Sequence, residues 1–128
     1  RFSYENSHSQ QVWLGGGVGI APFLSWANHL LIHPDDSLRI NLYYCVKNTA
    51  AATHLPTFEA LEKKMPGFHV SVIAQDRDGF FDLHNHPEVK QSEIFICGPK
   101  NMRKSIYQEL RSLKVPSNRI HFEEFDFI

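Results

Sequence analysis

Five short apolar runs alternate along this chain with longer segments whose apolar residues recur every three or four positions. This alternation is the tightest constraint on the fold. A strand that leads into a helix and then into another strand buries both elements only in a parallel sheet covered by helices. Strands are predicted at 11–15 (QVWLG), 38–46 (LRINLYYCV), 68–74 (FHVSVIA), 93–98 (EIFICG) and from 119 onward (RIHFEEFDFI), the last ending in an aromatic tail. Helices are predicted at 20–33, 55–65 and 99–115, each with a proline in or beside its first turn. Residues 75–92 form a polar connection with room for a short helix or strand of its own. The fourth run is apolar throughout its middle, which predicts an interior strand. The expected class is therefore α/β, a three-layer, Rossmann-like, doubly wound domain.

Length and charge narrow the function. The 128 residues suit one domain, and 42% hydrophobic with 21% charged residues is ordinary globular composition. A formal net charge of −1 lacks the basic excess of a nucleic-acid binder, so no nucleic-acid partner is expected. No apolar run approaches a membrane span, and no stretch has the make-up of a signal peptide. The chain begins at Arg1 and its methionines are Met65 and Met102, so it is expected to be a piece of a longer protein with elements upstream. Cys45 and Cys97 stand alone inside apolar runs, which points to a reducing, cytoplasmic compartment rather than a disulfide framework. His84 and His86, at i, i+2 beside Pro87, match no metal-ligand pattern and are expected to be surface histidines.

Three stretches carry chemistry, and each falls where a predicted strand ends. In LGGGVGIAPF, glycines lead from the first strand into the first helix. Bare backbone lets a diphosphate come close, and a helix N-terminus offers N–H donors. Gly17 and Gly19 match the first two glycines of G-x-G-x-x-G, and Pro22 stands in place of the third. The alternative is a tight turn with no ligand. Cys97-Gly98-Pro99 ends the fourth strand; the thiol could pack as a small hydrophobe, act as a nucleophile, or lie beside a flat ring. The tail HFEEFDFI could complete the core or stack on a cofactor. In a doubly wound sheet ligands bind beyond the C-terminal strand ends at the switch point, where these features meet.

GGVGIAPF, YYCVKN, IFICGPKNM and HFEEFDF, in this order, resemble the NAD(P)-binding half of the ferredoxin–NADP reductase superfamily, nearest to its ferric reductase and NADPH oxidase-like branch. The resemblance runs from Val12 to the C-terminus. It implies a five-stranded parallel sheet in the order 3-2-1-4-5 and hydride transfer from NAD(P)H to FAD. It implies that Gly16, Gly17, Val18, Gly19 and Pro22 form the pyrophosphate loop. It implies that Cys97, Gly98 and Pro99 form the turn beside the nicotinamide, with the cysteine facing the reacting carbon. Glu123 and Phe125 resemble the acidic and aromatic residues near the flavin or nicotinamide. Arg1-Phe2 resembles the end of a flavin-binding barrel, so FAD is expected on an upstream domain, itself in some relatives attached to a membrane haem domain. The acceptor would be a small molecule, such as a ferric chelate, or a haem or iron–sulfur partner, and the parent chain would be cytoplasmic or on the cytoplasmic side of a membrane.

The chain departs from the NADP-type pattern after the third strand. AQDRDGFFD lacks the Ser-Arg pair and the following Lys and Tyr, and Asp76 and Asp78 flank Arg77. Lys47 stands where a Rossmann domain carries an acid. Lys47 and Arg77 are the candidate phosphate contacts, with solvated surface charge as the other reading; the choice between NAD and NADP stays open. Two rival functions remain: a nucleotide-binding or regulatory module without a flavin partner, and an α/β interaction domain with an empty glycine turn.

Overall fold

A computed structural model describes residues 2–5 and 8–123. Its strands are β1 (Gln10–Gly16), β2 (Arg39–Val46), β3 (Phe68–Ala74), β4 (Glu93–Cys97) and β5 (Ile120–Glu123). Its α-helices are α1 (Ala21–Ile32), α2 (Leu55–Lys64), α3 (Gln75–Asp78) and α4 (Lys100–Ser112). All neighbouring strands are parallel, in the order β3-β2-β1-β4-β5. The parallel sheet is the one expected from the alternation, and its order is the one that the family resemblance implied.

Side-chain alternation splits the core in two. On one face Trp13, Ile40, Leu42, Tyr44, Phe95 and Cys97 pack with Phe23, Ala27 and Leu30 of α1 and Phe58 and Leu61 of α2. On the other, Val12, Leu14, Ile94, Ile96 and Ile120 pack with Ile106 and Leu110 of α4. Strands covered on both faces have no polar side to show, which is why β4 reads as an almost unbroken apolar run. Pro22 occupies the first turn of α1, where its missing N–H costs no intrahelical bond. Lys64 ties α2 to the end of α1 by donating to the Leu31 carbonyl at 2.5 Å.

The polar connection is more ordered than its composition suggests. After α3 it makes two 3-10 turns, Leu83–Asn85 and Pro87–Gln91. Leu83 and Val89 anchor them on the α4 face of the sheet. Tyr43 of β2 donates its hydroxyl to Glu88, and the His86 ring stacks on Phe81 at 4.7 Å and 7°. His84 is exposed, as expected of a surface histidine, whereas His86 is partly buried in this stack.

One buried polar side chain in β1 gave no signal in the sequence. Gln11 is fully buried. Its amide donates to the carbonyls of Tyr4 and His8, both at 3.0 Å, and its oxygen accepts from Trp13 Nε1 at 2.9 Å. Replacing it with leucine strands one indole donor and two carbonyls. Gln11→Leu is expected to cost about 2–3 kcal/mol in urea unfolding, and an unshifted midpoint would contradict this network.

Candidate functional site

The C-terminal strand ends lie level. Gly16 pairs with Cys45, Val46 with Ala74, Gly15 with Cys97, and Cys97 with Glu123. Above them opens a cleft of about 990 Å³, at the upper end of the range for ligand pockets. It runs from the start of α4 (Pro99, Asn101, Met102, Ser105), across Gly16–Val18, to Cys45–Lys47 and to Ile73, Gln75, Gly79 and Phe80 at the far edge.

The glycines divide into two groups. Gly17 has φ +56°, and no atom lies within 4 Å of where a Cβ would stand. It opens the 3-10 turn Gly17–Ile20, and with the exposed Val18 it forms part of the cleft wall. Gly19 faces the protein instead. A Cβ there would lie 2.3 Å from the Cys97 carbonyl oxygen and 2.6 Å from Gly98 Cα. Gly16 and Gly98 make room for Met102: a Cβ would meet its sulfur at 2.4 and 2.8 Å respectively. The glycine loop and the Cys97-Gly98-Pro99 turn are thus pressed together backbone to backbone. Arg103 Nε holds the turn from α4 through the Gly98 carbonyl at 3.1 Å.

Of the residues singled out in the sequence, Gly16, Gly17, Val18, Lys47 and Pro99 line the cleft. Gly19, Pro22, Gly98 and Cys97 are not among the lining residues. Cys97 is fully buried on the α1 face of β4. Burial, and then the charge of Glu123 across the ladder, push its thiol up to about 12. It is therefore neutral near pH 7 and is neither a thiolate nucleophile nor a base. Glu123 ends β5 directly opposite it, partly buried. Arg77 lies on α3 outside the lining, and Phe125 falls outside the described residues.

Sequence reasoning missed Thr53, His54, Asn101, Ser105, Phe80 and Phe81, all of which line the cleft. A signal existed for some of them. Asn101 and Ser105 are polar at i, i+4 in the first turns of the helix after Cys97-Gly98-Pro99, and so share a face. Thr53 and His54 follow β2 in the segment that leads to α2, where loops at this sheet edge meet ligands.

This arrangement, a bare glycine turn at the switch point of a doubly wound sheet, is the architecture of a nucleotide-binding domain. Residues 13–108 match the oxidoreductase NAD-binding domain family, and the chain belongs to it. It is 31% identical, over 89% of its length, to oxidoreductase NAD-binding domain-containing protein 1 of Xenopus tropicalis. It is 25% identical, over 97% of its length, to a component of the Na(+)-translocating NADH-quinone reductase of Neisseria meningitidis serogroup C / serotype 2a. The chain spans 44% of the first relative and 35% of the second. In fold it is similar to the flavohem-like FAD/NAD-binding domain of nitric oxide dioxygenase from Vibrio cholerae O1 biovar El Tor, with a TM-score of 0.84 and 21% identity over 98% of this chain and 54% of that one.

Proposed function

We propose that this chain binds NAD(P)H in the cleft and presents its nicotinamide to FAD held by a domain outside residues 1–128. The observation that carries this reading is Gly17: an open, left-handed glycine at the head of the helix-leading turn, with empty space where a side chain would be. Bare backbone there fits a diphosphate. When bound, NAD(P)H and FAD supply the hydride donor and acceptor. The chain's own task is position, because a hydride that passes between two rings needs alignment more than acid–base help.

The residues divide this task. Gly17 and Val18 leave the backbone open to the diphosphate, and Lys47 supplies a positive charge on the β2 side. Pro99 and Asn101 shape the β4 side, where the nicotinamide would lie. Cys97 acts beneath that wall as a small, neutral spacer that fixes the height of the Gly98–Pro99 turn. Glu123 and Phe125 would border the flavin. In the proposed whole protein, electrons leave the flavin for ferric iron, a haem or an iron–sulfur partner, on the cytoplasmic side when the parent carries a membrane haem domain. The resemblance of GGVGIAPF and IFICGPKNM to the ferric reductase and NADPH oxidase-like branch suggests this arrangement.

The test is anaerobic rapid mixing of full-length protein with reduced nicotinamide nucleotide. Flavin absorbance should bleach in a single turnover. In Cys97→Ala the lowered turn should slow bleaching about tenfold while the nucleotide Kd moves little, since small misplacements act on rate before affinity. Nucleotide binding without any bleaching would favour a regulatory module instead, and no binding at all would leave the glycine turn as packing only.

A further inference from the structure

The far end of the cleft carries a feature that the family relationship does not decide: which nucleotide it takes. The inference rests on the function proposed above. If the nicotinamide lies toward β4 and the diphosphate over the β1 turn, the adenosine ribose must lie over the ends of β2 and β3. Two strand spacings, roughly 10 Å, separate β1 from β3. The groups at that end are Lys47, Gln75 and the Asp76-Arg77-Asp78 segment of α3.

A 2′-phosphate is a dianion, and proteins hold it with an arginine fork or with several cations. Here the fork is already closed. Arg77 Nε donates to Asp78 Oδ1 at 2.9 Å, and Nη2 donates to Asp78 Oδ2 at 2.7 Å. The same Nη2 also donates to the Val72 carbonyl at 2.9 Å, which turns the guanidinium back along β3. Asp78 is itself fixed, because Oδ2 accepts the Ala74 N–H at 2.9 Å. Arg77 does not line the cleft, and among the described lining residues Lys47 alone is a lysine or arginine. The Lys47 carbonyl accepts the Asp76 N–H at 3.1 Å, which joins the end of β2 to the start of α3. A ribose with two free hydroxyls meets no such conflict.

We propose that the Arg77–Asp78 pair makes this an NADH site that discriminates against NADPH, with Asp78 as the specificity-determining residue. The experiment is calorimetric titration of the full-length protein with NADH and with NADPH, repeated on Asp78→Asn and Arg77→Gln. The asparagine side chain would keep an acceptor for the Ala74 N–H while giving up the charge that closes the fork. The wild type should bind NADH at least tenfold more tightly than NADPH. Asp78→Asn should narrow that ratio several-fold by strengthening NADPH alone. Arg77→Gln should weaken neither nucleotide more than twofold. Equal affinities in the wild type, or a selective tenfold loss of NADPH in Arg77→Gln, would overturn the proposal and make Arg77 a phosphate contact. Failure of both nucleotides to bind would instead overturn the NAD(P)H function itself, and the specificity with it.

Discussion

Replacing Gly19 with alanine is expected to cost about 3 kcal/mol of stability, the upper end of the usual overpacking penalty. The methyl group would sit 2.3 Å from the Cys97 carbonyl oxygen and 2.5 Å from its carbon, both backbone atoms. Backbone cannot swing aside as the end of a side chain can. β4 is further locked between β1 and β5 by parallel ladders, so the strain cannot be relieved by moving one residue. The neighbouring Gly17→Ala meets no atom within 4 Å and bears only the left-handed backbone penalty, about 1–2 kcal/mol. Urea unfolding of the two variants separates the roles. Gly19→Ala should lose the larger share of stability, and Gly17→Ala should instead lose nucleotide affinity. A Gly19→Ala midpoint equal to that of wild type would show that loop and turn are not in contact.

Alkaline pH should destabilise the domain through its two thiols. Burial raises Cys45, and burial together with Glu123 raises Cys97, each from an ordinary value near 9 to about 12. The folded state therefore holds protons that the unfolded chain releases. Stability from this source is complete below pH 9 and is lost as pH climbs through 12. At pH 10 the loss is about 1 kcal/mol per thiol, roughly 2–3 kcal/mol for both. Tyr4, raised to about 12 mainly by burial, adds to the same slope at higher pH. Urea midpoints measured from pH 7 to 10.5 should fall steadily above pH 9. Cys45→Ala should remove about half of the thiol-dependent slope, whereas a flat profile in the wild type would mean that the thiols are open to solvent.

Much of the fold was legible because hydrophobic periodicity is local. A run such as EIFIC must hide both its faces, and it became β4 with each residue from Ile94 to Cys97 buried. The proline of α1, the break after Met65 and the end of the third strand all followed from residues within a few positions of one another. Helix ends moved by one to three residues, as caps depend on weak local bonds. The strand order came from the family resemblance, since periodicity gives elements but not their neighbours. The polar 75–92 connection was illegible because its order rests on distant partners: Tyr43 for Glu88, and the α4 face for Leu83 and Val89.

By itself the sequence determined the α/β layering, the place of the glycine turn and the edge of the sheet where a ligand can bind. Only the tertiary structure decided what each residue does at that edge. It turned Gly17 toward the cleft and Gly19 toward the backbone of β4, two residues apart in one motif. It buried Cys97 outside the lining that it was expected to join, and it closed the Arg77 fork on Asp78. The physical reason is one of range. Secondary structure follows from the side chains' own spacing, but the direction an atom faces depends on what another strand, far along the chain, brings into contact with it.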